Sequence, residues 1–511
     1  MKEKISLVIK QKSTLLLLFL ILILGFFLRS YHLSSNPVGF FCDEASIGYN
    51  AFSILTTGKD EHGVSFPLFF EAFGDYKTPI AIYATIPSIM LFGLTEFSTR
   101  LPSVIFGLLT IFGMYFLGKE LYTTKRSLFG LLSAFILATM PWLIHYNRVA
   151  FQLNVYCAFF VGTLYLFLKA RTQKNYLLPA FFVAAVTLYT YQSAQLMIPL
   201  LLIGLVIIYR KEYSMHKNEV VVGSLLFIAL SLPLIQSFST GEGLARFNAV
   251  SIFSAKLSFG ETILRFLNNY FVQLSPAYFI SGEPMFITRH FMGGLTPLLI
   301  TTIPFLAIGV IESIITLKKK RSQLLIYLLL LYPLAGAFTA MAPFTSRSVV
   351  GALLCTFFIS SGVMITVSLA KKSLHRLFFL TFIVVVMLIN VACFARFYFV
   401  HYPLYSADYW GWQYGAREII SYFVVHQDTY DDLVMSTEFN SPRIFFKFYA
   451  PNDCAKCKTG SPADFYKEGR KQLYALPPKY MAKNDEYIYH PIKNIYYPNG
   501  DIAFILSEVT K

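Results

Sequence analysis

The apolar residues of this chain come in continuous runs that approach or exceed 18 residues, separated by short clusters of Lys and Arg. A run of that length matches the hydrocarbon thickness of a bilayer as a helix. Closed barrels are the other way to satisfy backbone groups in lipid, but their strands alternate in character every second residue over about ten residues. The spanning elements are therefore expected to be helices. Composition agrees: 56% of the 511 residues are hydrophobic and 14% charged, against about 25% charged in soluble domains. A soluble enzyme, a disordered chain and a collagen-like chain are all excluded.

The runs predict about eleven spans. Lys2, Lys4, Lys10 and Lys12 precede the first, Ser13–Leu28, which lacks a small-x-small cleavage site and is read as an uncleaved span rather than a signal peptide. Five further basic clusters lie at Lys119/Lys125/Arg126, Lys169/Arg171/Lys174, Arg210/Lys211/Lys217, Lys318–Arg321 and Lys371/Lys372/Arg376. If each is cytoplasmic, pairs of helices separate them: Ser98–Gly118 and Leu128–Leu143, Val149–Leu168 and Leu177–Tyr189, Leu196–Tyr209 and Val220–Gln236, Leu295–Leu317 and Leu324–Met341, Val349–Ala370 and Leu374–Ala395. The N-terminus is then inside and the C-terminus outside, in a plasma (inner) membrane. Residues 1–396 carry 31 basic and 15 acidic side chains, so the excess positive charge belongs to membrane topology and not to a nucleic-acid surface.

Two long outer loops follow, Arg29–Phe97 and Ser237–Gly294. Loops this long are usually functional. Both hold partly amphipathic stretches, such as Ile47–Leu55, suited to the interface. From Phe397 the composition turns soluble, with 12 basic and 13 acidic residues. A helix at Trp410–Val425, a strand at Asp432–Ser436 and a helix at Pro442–Tyr449 predict a small α/β domain, 397–511, on the outer face. Cys454 and Cys457 read more readily as a local disulfide than as half a metal site.

The first outer loop concentrates ionisable groups beside the bilayer: Asp43-Glu44, then Lys59-Asp60-Glu61-His62, then Asp75-Tyr76-Lys77. Acids so close to hydrocarbon are costly unless solvated or paired. A carboxylate there can serve as a general base, with its proton affinity set by burial and neighbours. Asp43 could instead cap the following helix, and Asp60 and Glu61 could form a solvated turn. Eleven cations fall outside the cytoplasmic clusters: Arg29, Lys59, Lys77, Arg100, Arg148, Arg246, Lys256, Arg265, Arg289, Arg347 and Arg396. Outer cations run against the topological bias, so some are expected to hold an anion such as a lipid phosphate. Arg347, in Ala342-Pro343-Phe344-Thr345-Ser346-Arg347, stands at the start of a predicted helix.

From Asp43 to Pro102 the sequence resembles the GT-C membrane glycosyltransferases. It is closest to the clan of protein O-mannosyltransferases and lipid A aminoarabinose transferases. Asp43-Glu44, Gly58 with Phe66-Pro67, Tyr76-Lys77-Thr78-Pro79, and Phe92-Gly93 followed by Arg100-Leu101-Pro102-Ser103 carry the likeness in their order and spacing. The resemblance implies an all-α polytopic GT-C-like catalytic domain over 1–396. It also implies inverting transfer of a sugar from a polyprenyl-phosphate carrier to a hydroxyl of a lipid, glycan or protein. Asp43 would be the base and Lys77 would face the donor phosphate. Glu44, Tyr49, Asp60, His62, Asp75, Tyr76, Arg148 and Arg347 are expected with Lys77 among the substrate contacts. No nucleotide is needed, and the membrane lipid is itself a partner.

The sequence departs from the family in three places. Tyr76 stands where relatives often have an acid, with Asp75 one residue earlier. His145-Tyr146-Asn147-Arg148, Gln152 and Asn154 stand where relatives often carry an acid in another outer loop. Lys77-Thr78-Pro79 replaces the Lys-Pro-Pro of the lipid A enzymes. A divalent metal is the one cofactor the family suggests, and these departures weaken both it and a lipid A acceptor. The competing reading, a transporter or flippase of lipid-linked sugars, calls for related halves with broken helices and polar groups at mid-membrane. The acids here collect in loops.

Overall fold

The computed structural model describes residues 2–511 except 255–256, 283–288, 291–295, 452–453 and 484–485, and describes residues 2–10 by backbone alone. The expected cation Lys256, the boundary Gly294/Leu295 and the side chains of Lys2, Lys4 and Lys10 lie outside the described residues.

Every predicted apolar run carries helix, but not every run is one full span. Among the described residues six helices are long and apolar enough to cross a membrane. They are Gln11–Ser30, Glu96–Leu121, Leu153–Ala170, Arg210–Thr240, Val350–Ser368 and Ser373–Ser406. Ile300–Ile315 and Lys320–Ala337 form a pair bent by 120° that makes a seventh if counted as one. Arg126–Ala138, Leu177–Thr187 and Gln192–Ile208 are shorter. Proline explains several of the breaks, since it lacks an N–H and clashes with the preceding turn. Leu128–Leu143 stops at Ala138 and restarts as Pro141–Tyr146. Likewise Lys320–Leu331 ends just before Pro333, and Leu334–Ala337 follows it. The chain is a multi-pass membrane protein with one large helical core, in which Gly309 and Gly362 let two helices touch backbone to backbone.

The segment 29–97 is folded throughout. Helix α1 (Lys2–Ser30) leads to α2 (Cys42–Thr57), then strands β1 (Phe70–Ala72) and β2 (Asp75–Lys77), then α3 (Ile80–Phe92) and α4 (Glu96–Leu121). Ile47, Ala51 and Ile54 recur at helical spacing on α2 and pack against Phe70, Ile82 and Ile89. The β1–β2 hairpin pairs Phe70 with Lys77 and Ala72 with Asp75. Its turn residues, Phe73 and Gly74, both have positive φ (59° and 74°), as a tight two-residue hairpin requires.

The tail forms a five-stranded sheet in the order β4-β3-β5-β7-β6. The strands are β3 (Asp432–Met435), β4 (Cys457–Thr459), β5 (Gln472–Leu476), β6 (Ile488–Tyr496) and β7 (Ile502–Thr510). β3 runs parallel to β4 and β5, whereas β7 is antiparallel to β5 and β6. The expected helices occur at Ala416–His426 and Arg443–Tyr449. The first starts six residues later than expected, behind Gly415 (φ 104°). Cys454 and Cys457 are disulfide-bonded. The tail sits on the loop segment through Lys447–Glu61 (2.9 Å) and Arg417–Glu96 (3.1 Å).

Candidate active site

The periodicity of α2 and β2 decides which loop residues meet. Asp43 and Glu44 occupy the first turn of α2, two and three residues past its N-cap Phe41, so Asp43 is not the cap. Adjacent helical residues point about 100° apart. Glu44 faces inward, fully buried against Arg100, while Asp43 faces a cavity of about 770 Å³. On β2, residues two apart share a face. Asp75 and Lys77 therefore both line the cavity, and Tyr76 between them does not.

Lys77 Nζ donates to Asp43 Oδ1 at 2.8 Å. Arg246, from the second long loop, pairs with Asp75 at 3.4 Å. Arg289 lies 4.0 Å over the ring of Phe41, and Arg347 lies 4.2 Å over that of Phe344. The described lining thus holds four cations against two carboxylates. Burial pushes the Asp43 carboxyl up, but Lys77, with Arg246 and Arg289, outweighs it and holds Asp43 below the usual carboxylate range. At Asp75 burial wins over Arg246 and Lys77, and its carboxyl lies above that range. The Cys42 thiol is raised well above its ordinary value by burial and by Asp43, so it stays protonated. Burial and neighbouring cations keep His290 neutral.

Of the ten expected site residues, Asp43, Asp75, Lys77 and Arg347 line the cavity. The other six sit elsewhere, each for a visible reason. Glu44 accepts from Arg100 Nε and Nη2, both at 2.9 Å. Tyr49 is half-buried, with Lys447 above its ring at 5.7 Å. Asp60 accepts from the amides of His62 and Val64 at 2.9 Å each, which makes the turn, and His62 is exposed at its tip. Tyr76 is turned to the opposite face of the hairpin and offers its carbonyl to Gln192 (3.4 Å). Arg148 is fully buried and donates to the carbonyls of Leu28 (3.1 Å), Tyr31 (2.5 Å) and Asn36 (2.7 Å).

The cavity also takes Gln152, Tyr191, Arg246, Arg289, His290 and Asn440, none of them among the expected ten. Gln152 Nε2 donates to both the carbonyl and the hydroxyl of Thr78 (2.8 Å each), tying a neighbouring helix to the Lys77-Thr78-Pro79 step. Arg246 and Arg289 carried a signal as outer cations, but nothing local in sequence joins them to Asp43. Among the described residues no three His, Cys, Asp or Glu side chains converge as metal ligands. The two cavity carboxylates are each engaged by a cation. The described donor set does not fit a bound divalent metal, and no step below uses one.

Comparison with known proteins bears on the fold. The model of the dolichyl-phosphate-mannose-protein mannosyltransferase family matches residues 76–236, which takes in Lys77 and Arg100. ArnT from Cupriavidus metallidurans in the apo state superposes with a TM-score of 0.52 at 11% identity, covering 98% of each chain. The fold is that of the GT-C glycosyltransferases. ArnT bound to undecaprenyl phosphate gives a TM-score of 0.51 at 12% identity over 97% of this chain and 98% of that one. The archaeal oligosaccharyltransferase AglB from Archaeoglobus fulgidus, in complex with an inhibitory peptide and a dolichol-phosphate, gives 0.51 at 12% identity, over 88% of this chain and 64% of AglB. No curated protein sequence matches the chain. At such identities the superpositions speak for the fold, which is the one the resemblance implies, while the family match takes in the Tyr76–Pro79 and Arg100–Ser103 motifs.

Proposed function

We propose that this protein is an inverting glycosyltransferase that moves a sugar from a polyprenyl-phosphate carrier to a hydroxyl of a lipid, glycan or protein on the outer face of the membrane. The observation that carries the reading is the Asp43–Lys77 pair, set in a cavity where cations outnumber acids. The acceptor oxygen attacks the anomeric carbon and loses its proton to the Asp43 carboxylate. The bond from that carbon to the phosphate oxygen breaks, and its electron pair leaves with the phosphate. Lys77, Arg246, Arg289 and Arg347 stabilise the charge that develops there.

An in-line displacement puts the attacking and leaving oxygens on opposite sides of the anomeric carbon. The 2.8 Å Asp43–Lys77 contact therefore opens as the donor enters. Lys77 has three N–H donors and can pass one to the phosphate. Its withdrawal makes Asp43 more basic at the moment a base is needed. Beyond the cations the cavity is lined by Phe247, Val250, Phe338, Met341 and Phe344, a surface suited to the start of a polyprenyl chain.

The orientation rests on α4. Its 26 residues rise about 39 Å, from Glu96, paired with Arg417 of the tail, to Lys119 in a basic cluster. If that cluster is cytoplasmic, cavity and tail face outward, in a plasma (inner) membrane with the N-terminus inside.

The test is incubation of the purified protein with a panel of radiolabelled polyprenyl-phosphate sugars, offering water, lipid and peptide as acceptors. Label should leave one donor class and appear on one acceptor. Donors moved across a vesicle membrane with no label transferred would support the flippase and reject this reading.

A further inference from the structure

Helix α2 carries Asp43 but does not cap its own N-terminus. Phe41, the preceding residue, offers no side-chain oxygen, and Glu44 turns back to the amide of Phe41 itself (3.3 Å). Cys42, the first helical residue, is 1% exposed, so its amide needs an acceptor. It donates to Gln413 Oε1 at 2.6 Å, 371 residues away in the tail. The other end of that amide, Gln413 Nε2, donates to the carbonyl of Asn440 at 2.6 Å. Asn440 in turn lines the cavity.

Gln413 is built for this position. Its side chain is buried, and its backbone adopts φ 54°, a left-handed conformation that residues other than Gly, Asn and Asp rarely hold without support. The support is the preceding residue. Trp412 is fully buried and donates from Nε1 to the Tyr402 hydroxyl at 2.8 Å. Gly39 presses so closely on the Trp412 carbonyl that a Cβ there would come within 2.4 Å of its oxygen. The tail is thereby clamped to the three residues that lead into α2.

We infer that Gln413 is a positioning residue for Asp43: through the Cys42 amide it fixes the first turn of α2, and through Asn440 it fixes the adjoining cavity wall. The inference rests on the reading of Asp43 as base, and it makes the tail part of the catalytic apparatus. The Gln413 side chain bonds to Cys42 and Asn440 and not to a cation, and Arg289 is held nearby by the Gly411 carbonyl (3.3 Å) and not by Gln413 itself, so loss of Gln413 should fall on the chemical step more than on donor binding.

Gln413→Met keeps the side-chain volume and removes both hydrogen bonds, whereas Gln413→Glu keeps an acceptor for Cys42. Both are compared with wild type and Asp43→Asn as full-length protein in nanodiscs. The donor is the radiolabelled polyprenyl-phosphate sugar turned over fastest in the panel above, with water among the acceptors. Gln413→Met should lower kcat roughly a hundredfold with donor KM unchanged, the scale expected from a displacement of about 1 Å. Gln413→Glu should recover about tenfold of that loss. Its acid limb should lie at higher pH, because a new carboxylate beside Asp43 raises that residue's proton affinity. Amide exchange of Cys42–Ala45 should quicken in Gln413→Met alone, a readout that needs no substrate.

The inference is overturned if Gln413→Met keeps wild-type kcat while Asp43→Asn is inactive. It is also overturned if both Gln413 variants lose kcat, KM and melting temperature alike, or if exchange at Cys42 is unchanged. An active Asp43→Asn would instead remove the base reading on which it rests.

Discussion

Glu44→Gln separates a structural carboxylate from a substrate contact. Glu44 and Arg100 are both 0% exposed and meet through two 2.9 Å contacts. Glu44 also accepts from the amides of Ala150 (2.9 Å) and Phe41 (3.3 Å), so four N–H groups converge on one carboxylate. A glutamine keeps one acceptor oxygen, turns two donors toward donors, and leaves the Arg100 charge without a counter-ion. Removing one partner of a buried ion pair costs about 3–5 kcal/mol. Arg100 also holds the carbonyls of Leu33, Pro37 and Gly39, so the loss spreads along the approach to α2. Thermal unfolding of purified protein should show a melting temperature lower by about 5 °C or more. The Glu44→Gln/Arg100→Met double variant should be less damaged than the two single effects added together, because the orphaned charge is gone. A melting temperature within about 1 °C of wild type, combined with weaker donor binding, would refute this reasoning and return Glu44 to the substrate site.

Three further outcomes follow from the charges in the cavity. The Asp43 carboxyl, held low by Lys77, contributes stability above the unfolded value of about 3.9 and loses it as pH falls through the lowered folded value. In Lys77→Met only burial and the more distant arginines remain, so the acid limb of kcat/KM should move to higher pH, and an unmoved limb would contradict the pairing. Asp75 is the opposite case. Its carboxyl is raised by burial, so its stability contribution is greatest in acid and is lost as pH rises through the folded value. Asp75→Asn should therefore melt no lower than wild type at neutral pH, and a large loss there would mean that the Arg246 pair dominates. Arg347→Ala should raise donor KM and also lower kcat, because a cation facing the charge that develops on the phosphate is lost; unchanged KM and kcat would remove Arg347 from the phosphate site.

What the sequence makes legible is whatever is local or periodic. Apolar runs and the Asp43 and Lys77 motifs are short patterns, and in the structure the runs carry helix and both residues reach the cavity. Run length alone misleads where proline divides a run, as at Pro141 and Pro333. Partner choice is the larger gap. Glu44 beside Asp43 has the same sequence signal, and only the 100° step around α2 sends it to Arg100, 56 residues on. Arg148 looks like an outer cation, yet it serves the carbonyls at the end of α1. Asp60, between Gly58 and Gly63, suits a turn in sequence, and its carboxylate makes that turn. Arg246, Arg289, Gln413 and Asn440 reach Asp43 or its helix only through tertiary packing, which no window of sequence displays.

The account stands most directly on a single-turnover comparison of wild type with Asp43→Asn, using a radiolabelled polyprenyl-phosphate sugar at saturating concentration. Asparagine keeps the size of the side chain and removes the basic carboxylate. The account predicts normal insertion, undiminished donor binding and a transfer rate lower by at least about a hundredfold. Transfer by Asp43→Asn at a rate near that of wild type would contradict it.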